Sequence, residues 1–179
     1  MGTDKSQLLI ENQTFVARIA DSLLTITDSV RLVGGRENSK MAVVPDIYRQ
    51  WGALGGLHAA VTACRREWAI VVACDLPFVT AELFFRLASL RENYDAVVPI
   101  QDDGRLQPLC ALYRAETCAR WATKLIAAGR RRPLDLLASV NTRRVEFAEI
   151  ANLAQAERFF VNINTPEDYD GVFRVPRKG

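Results

Sequence analysis

The stretch of sequence that decides the fold is WAIVVAC at residues 68–74, followed directly by DLPF at residues 75–78. The first part is a continuous apolar run, without the polar alternation of a strand that has one face in water. Such a run is typical of a strand buried on both faces, as in a parallel sheet. Asp75 ends the run, and Pro77 fixes the backbone as the chain turns away. The stretch therefore predicts a buried strand that delivers a carboxylate to the edge of a sheet.

The rest of the chain alternates between helix and strand patterns. Apolar residues recur at helical spacing over residues 13–25, which predicts an amphipathic helix. Further helices are predicted after residue 56, after Thr80, and over residues 115–128 and 133–139. Short strands are predicted at residues 29–33, 41–44, 94–100, 107–113 and 144–147. This order predicts an α/β, three-layer fold with a mostly parallel, Rossmann-like sheet. No linker or repeat interrupts it, so we expect one domain over residues 1–179.

Composition and charge exclude several classes of protein. Of the 179 residues, 49% are hydrophobic and 25% are charged, which is a globular balance. The net charge of +2 is too small to indicate nucleic-acid binding. We find neither a secretory signal nor an apolar run of the roughly 18 residues that span a membrane, and therefore expect a cytoplasmic protein. The cysteines form no Cys-x-x-Cys pair, which argues against zinc, and Cys74 and Cys110 are expected to be buried.

Polar residues follow the predicted strands where each strand ends. Asp46, Asp75 and the glycine-rich segment at residues 52–56 all occupy such positions. Because ligands in this fold class bind outside the carboxyl ends of the strands, we expect these residues to converge on one crevice. An Asp carboxylate there suits Mg²⁺, which prefers oxygen ligands and substrate phosphates. Taken alone, Asp75 is better explained as a turn or helix-capping residue.

The glycine-rich segment, GALGG at residues 52–56, is predicted to form a turn before a helix. Glycines allow the backbone to approach a base or a phosphate closely. The first turn of the following helix offers free N–H groups to an anion. An ordinary strand-to-helix turn explains the same pattern, so the segment alone is weak support for a ligand site.

The segment NINTPED at residues 162–168 carries two amides, Asn162 and Asn164, on either side of one apolar residue. In an extended backbone both would point the same way, toward a ligand or a metal. The alternative is a helix start with Thr165 as N-cap and Pro166 at the first helical position. The two interpretations are compatible, because they concern different residues.

The basic residues support two interpretations each. Lys5 could neutralise phosphate charge, or it could be a surface lysine near a frayed terminus. The run Arg130 to Arg132 is more simply a solvated surface than a ligand site when the sequence alone is considered.

In their order along the chain, these motifs resemble those of the molybdenum cofactor guanylyltransferases. The resemblance rests on MGTDK at residues 1–5, GALGG at 52–56, CDLPF at 74–78 and NINTPED at 162–168. QPLCALY at residues 107–113 and GRRRPLDLL at residues 129–137 extend it over essentially the whole chain. The resemblance implies transfer of GMP from Mg·GTP to the phosphate of molybdopterin, with release of pyrophosphate. It also implies transient contact with proteins that deliver molybdopterin or mature molybdoenzymes.

The resemblance assigns catalytic and metal-binding roles to particular residues. It implies that Asp75 is the Mg²⁺ ligand and that Lys5 contacts phosphate, so that both are catalytic. It implies that Asn162 and Asn164 contact the pterin or complete the metal site.

The resemblance also assigns the residues that bind the two substrates. Asp46 would lie around the nucleotide. The loop near the guanosine would comprise Gly52, Leu54, Gly55 and Gly56. Arg130, with its two neighbours, would attract the pterin phosphate, which replaces the solvated surface favoured above.

Two alternatives to this function stay open at the level of sequence. One is a cytidylyl- or other nucleotidyltransferase of the same fold. In the family the cytidylyl members carry a Gln after the metal Asp, whereas Leu76 follows Asp75 here and favours the guanylyl branch. The other is a non-catalytic module that binds a nucleotide or the cofactor.

The start of the chain departs from the family pattern. The family opens with a buried strand and a Leu-Ala-Gly-Gly-x-Ser-x-Arg loop ahead of Met-Gly-x-Asp-Lys, and this sequence starts at the methionine. Since that strand and loop are not in residues 1–179, we expect this chain by itself to be marginally stable and its catalysis to be impaired. An internal methionine taken as the start, a fragment and a degenerate paralogue would each explain the departure.

Overall fold

The computed structural model of the chain describes residues 9–10, 13–34 and 41–163. The helices are α1 Phe15–Leu24, α2 Gly52–Ala63, α3 Ala81–Ser89, α4 Ala115–Ala127 and α5 Pro133–Ser139. The strands are β1 Leu9–Ile10, β2 Gln13–Thr14, β3 Arg31–Val33, β4 Ala42–Val44, β5 Trp68–Val72, β6 Ala96–Pro99, β7 Cys110–Arg114 and β8 Thr142–Val145. Two turns of 3₁₀ helix follow, at Phe147–Glu149 and Ala156–Arg158. The predicted alternation of helix and strand, and with it the α/β class, is confirmed.

A four-stranded sheet in the order β5-β7-β6-β8 forms the middle layer. β6 pairs with β8 in parallel, whereas β7 pairs antiparallel with both β5 and β6. Three of the four strands therefore point the same way, and β7 runs against them. The reversal comes from the link between β6 and β7, where the Gln101 N–H donates to the Arg105 carbonyl at 2.9 Å. So short a return reverses the chain, because a parallel connection needs a crossover of about a dozen residues or more. The sequence patterns did not predict this reversal.

Side chains that alternate along the strands build two cores, one on each face of the sheet. Val97 and Leu112 point into a core with residues of α1 and α3. Val98 and Tyr113 point into a second core with residues of α2, α4 and α5. Helices thus cover both faces, which is the predicted three-layer arrangement.

The decisive strand, β5, is less buried than its apolar sequence predicts. Both faces contact a core, through Ile70 on one side and Val71 on the other, but only Ala69 is fully buried within the strand. An apolar cavity of about 1060 Å³ lies between β5 and the parallel pair of β3 and β4. Because β5 is the end strand of the described four-stranded sheet, this cavity leaves its side chains half-exposed.

One of the two cysteines predicted to be buried, Cys74, is exposed in the structure. Cys110 is fully buried in β7, as predicted. Cys74 is exposed, because it lies beyond the last residue of β5, where the chain leaves the sheet. No helix within the described ranges is long and apolar enough to cross a membrane.

The interface of α2 with α4 contains His58, the only histidine of the sequence. His58 is 5% exposed. Its Nε2 lies 3.0 Å from the Thr123 hydroxyl, and its Nδ1 has no hydrogen-bond partner in the described structure. Burial lowers the pKa of His58 below the ordinary value of 6.5. The folded protein therefore favours the neutral imidazole.

This lowered pKa predicts a loss of stability on mild acidification. The unfolded chain takes up a proton as the pH falls through 6.5, whereas the folded chain resists it. The contribution of His58 is thus complete above that pH and falls below it, by at most about 1.4 kcal/mol per pH unit. Urea unfolding of wild type and His58→Gln at about pH 7.5 and about pH 5.5 measures the effect. We expect the free energy of unfolding to differ less between these two pH values in His58→Gln than in wild type.

A direct check is available because the chain has one imidazole. The pKa obtained from the proton NMR signal of His58 should lie below 6.5 in the folded protein. A midpoint at or above that value contradicts the prediction.

Candidate functional site

Asp75 lies at the carboxyl end of β5 and contacts a segment far along the chain. With its amide oriented so that the nitrogen faces the acid, Asn162 donates to the two carboxylate oxygens of Asp75 at 2.8 and 3.0 Å and to the Asp75 carbonyl at 3.1 Å. The Ile163 N–H also donates to the Asp75 carbonyl, at 3.2 Å. The structure therefore brings together two of the residues that the sequence singled out.

The loop that follows Asp75 is held by two arginines. Arg18 of α1 donates from Nε to the Pro77 carbonyl at 3.1 Å. The Arg158 guanidinium lies 4.1 Å from the ring centre of Phe78. Phe78 itself is buried at 3% exposure. These contacts fix the backbone that carries the carboxylate. Neither arginine was predicted, since each is a single basic residue outside any motif.

The donors around Asp75 fit a magnesium ion. The Asp75 carboxylate offers hard oxygen atoms, which Mg²⁺ prefers. The Asn162 NH₂ group donates to both carboxylate oxygens and so orients them at this end of the strand. No group of three or more His, Cys, Asp or Glu side chains gathers in the described ranges. Water and substrate phosphates would therefore supply the other ligands.

Asp46 occupies the matching position on the parallel pair of β3 and β4. The Gly34 N–H, just past β3, donates to the Val44 carbonyl at 2.9 Å. A Cβ added to Gly34 would lie 3.3 Å from Oδ2 of Asp46, and Gly34 has a φ of +69°. The glycine therefore permits the carboxylate to lie directly against the end of the neighbouring strand. Asp46 is exposed.

The predicted glycine turn at residues 52–56 is wrong, because these residues form the start of α2. The turn lies earlier, where Gln50 and Gly52 adopt φ of +62° and +66°. Leu54 is a core residue with 0% exposure. Gly55 is tightly packed, since a Cβ there would lie 2.9 Å from the Trp51 Cβ and 3.1 Å from the Tyr48 carbonyl. Gly52 is exposed at the helix start, and Gly56 lies within the helix.

The arginine loop, residues 129–132, joins α4 to α5 and contacts the start of α2. Trp51 donates from Nε1 to the Arg130 carbonyl at 2.7 Å. The Arg131 guanidinium lies 4.7 Å from the centre of the Trp51 ring. Arg130, Arg131 and Arg132 are exposed. The sequence motifs did not include Trp51, and a tryptophan between loops carries no signal that would have identified it.

Two predicted site residues, Lys5 and Asn164, lie outside the described residues, as do the helix-start residues that follow Asn164. Their roles stay predictions.

Solved structures of other proteins share this fold. Molybdopterin-guanine dinucleotide biosynthesis protein A from Archaeoglobus fulgidus matches with a TM-score of 0.79 at 22% identity, over 95% of this chain and 89% of that chain. The 2-C-methyl-D-erythritol 4-phosphate cytidylyltransferase from Thermus thermophilus matches with a TM-score of 0.68 at 15% identity, over 96% and 94%. At these identities the likeness shows the fold.

The names of sequence relatives indicate which class of enzyme has this fold and sequence. A protein of Pelotomaculum thermopropionicum named probable molybdenum cofactor guanylyltransferase is 33% identical, over 94% of this chain and 83% of its own length. One of the same name from Clostridium perfringens strain 13 is 28% identical over 96% and 88%. Fold and relatives together define a nucleotidyltransferase. The chain belongs to the family described as MobA-like NTP transferase domain, whose model matches residues 1–145. The resemblance to the molybdenum cofactor guanylyltransferases is thereby confirmed.

Two neighbouring glycines of α2 provide a matched test of the contact with Trp51. A methyl group on Gly55 would overlap the Trp51 Cβ and crowd the Tyr48 carbonyl, so the turn before α2 must shift. We expect Gly55→Ala to lower the free energy of unfolding by about 1–3 kcal/mol. A methyl group on Gly56 meets nothing within 4 Å. Because Ala favours a helix interior over Gly, Gly56→Ala should raise the free energy of unfolding by about 0.5–1 kcal/mol. Urea unfolding measures both, and equal effects would contradict the packing described here.

Proposed function

We propose that the protein transfers GMP from Mg·GTP to the terminal phosphate of molybdopterin and releases pyrophosphate. The observation that carries the proposal is the contact of Asp75 with Asn162 at the carboxyl end of β5. It joins an acidic and an amide motif, both of which the guanylyltransferase resemblance assigns to the site. The names of the relatives support the choice of substrates.

The reaction brings two anions together. A phosphate oxygen of molybdopterin attacks the α-phosphorus of GTP and forms a new P–O bond. The bond from the α-phosphorus to the oxygen bridging the α- and β-phosphates breaks, and pyrophosphate leaves with that electron pair. The protein needs to form no covalent bond, so its contribution is to position the substrates and to neutralise their charge.

Each part of the crevice has a role in this scheme. Asp75, oriented by the Asn162 amide, would hold Mg²⁺, which when bound supplies positive charge to the triphosphate. Asp46 and the exposed start of α2 at Gly52 would border the guanosine. Lys5 would contact a phosphate, and Asn164 would act beside Asn162. We also expect transient contact with proteins that deliver molybdopterin or that mature molybdoenzymes.

The arginine loop would receive the phosphate of molybdopterin. Its three side chains are exposed, and no ion pair within the described residues involves them. A cluster of available guanidinium groups suits a phosphate monoester, which each group can bind with two hydrogen bonds.

A cytidylyltransferase is the second candidate, and the shared fold of the Thermus thermophilus enzyme favours considering it. Leu76, the residue that favoured the guanylyl branch, is 3% exposed and packs in the core. It does not face the crevice, so the two nucleotides have to be compared directly.

We expect pyrophosphate release with molybdopterin to be faster with GTP than with CTP. Asp75→Asn removes a metal-binding charge with little change of shape and should lower kcat/KM on the order of 100-fold or more. The control is Asp28→Asn, which alters an exposed carboxylate paired with Arg66 on the surface. That variant should retain full activity.

Each outcome of this assay is decisive. Equal or faster turnover with CTP overturns guanylyl transfer. Undiminished transfer by Asp75→Asn shows that Asp75 is not the metal ligand. Binding of nucleotide without turnover of either one indicates a non-catalytic module.

A further inference from the structure

Trp51 connects two loops that lie far apart in the sequence, the turn before α2 and the arginine loop. Its backbone N–H donates to the Tyr48 carbonyl at 3.3 Å, within the turn before α2. Its indole N–H donates to the Arg130 carbonyl, 79 residues away, at 2.7 Å. The face of its ring carries the Arg131 guanidinium at 4.7 Å. One side chain thus contacts both the backbone and a charged group of the arginine loop.

The two ends of the arginine loop are already fixed by the helices that it joins. The Arg130 N–H donates to the Leu125 carbonyl of α4 at 2.9 Å, and Gly129 has a φ of +79°, as in a glycine-ended helix. The Asp135 N–H of α5 donates to the Arg132 carbonyl at 3.0 Å. Trp51 adds a contact to the middle of the loop from outside these helices. Its role is therefore to set which way the loop faces.

Charge explains why such a contact is needed. Three consecutive guanidinium groups repel one another, and each is exposed. Such side chains spread into solvent when nothing orients them. The Trp51 ring attracts Arg131 through its π face, and the indole N–H holds the Arg130 carbonyl toward α2. Together these contacts hold the Arg131 guanidinium and the Arg130 backbone in the absence of an anion.

We propose that Trp51 is a positioning residue for the acceptor substrate, acting through the arginine loop. The proposal rests on the proposed function in one respect, namely that this loop receives the molybdopterin phosphate. Trp51 orients the loop before the acceptor arrives, so that the acceptor does not have to order it. Loss of the contact therefore weakens acceptor binding and leaves the chemical step unchanged.

Two substitutions separate the contributions of the side chain. Trp51→Phe retains an aromatic ring for Arg131 and the Cβ that packs on Gly55, but removes the N–H donor. Trp51→Leu removes both the donor and the ring. The matched controls are Trp121→Phe and Trp121→Leu. Trp121 is an exposed tryptophan that also carries a cation on its ring, Lys124 at 4.8 Å, but it contacts no residue of the arginine loop through that pair.

The kinetic result expected is a separation of KM from kcat. Trp51→Phe should raise the KM for molybdopterin several-fold, and Trp51→Leu on the order of 10-fold. The KM for GTP and kcat should stay within about twofold of wild type in Trp51→Phe. The Trp121 variants should change none of these values. A joint rise in both KM values, or equal effects at Trp51 and Trp121, overturns the proposal.

A second measurement does not depend on turnover. Hydrogen exchange of the peptide that covers residues 129–132 should be faster in Trp51→Phe than in wild type, and faster still in Trp51→Leu. Pyrophosphate, used as a probe anion, should slow this exchange in wild type at a lower concentration than in either variant. Unchanged exchange in both variants overturns the orienting role even if GMP transfer is found. Faster exchange in a protein that transfers no nucleotide supports the orienting role and rejects the proposed function.

Discussion

The insertion of β7 between β5 and β6 is the constraint on which the rest of the structure depends. All five residues of β7 pair with β5, from Arg114 opposite Trp68 to Cys110 opposite Val72. On its other edge β7 pairs with β6, and β6 pairs with β8. This register places the start of β7 beside the end of β5, where the Ala73 N–H donates to the Leu109 carbonyl at 2.7 Å. The position of Asp75 and the two cores both follow from it.

Three contacts between different segments of the chain hold the loops that follow the strands. Asp75 is joined to Asn162, Gly34 lies against Asp46, and Trp51 is joined to Arg130. Each pair connects a loop at a strand end with a second segment that could otherwise move independently. A reaction between two anions depends on charged groups that are already in place, because the free energy of ordering them is then spent during folding and not during the reaction. Both the fold and the proposed reaction therefore require these loops to be held in position.

Sequence patterns predicted features that depend on local chemistry. α5 has the predicted bounds because Pro133 suits a first helical position. Asp75 and Asn162 were singled out because both belong to recognisable motifs, but their contact with each other was not predicted. The glycines of α2 were misassigned, since only the packed structure shows that Gly55 is small to accommodate Trp51. The direction of β7 and the role of Trp51 were missed because they depend on link length and on distant contacts.

The burial of His58 also bears on how protons are handled. The sequence has no other histidine, and this one faces Thr123 between α2 and α4. The proposed site therefore has no imidazole that could accept a proton from the attacking group. An acceptor phosphate that is already ionised needs no such group, and the second ionisation of a phosphate monoester lies near pH 6. In the proposed reaction the substrate would then supply its own basicity.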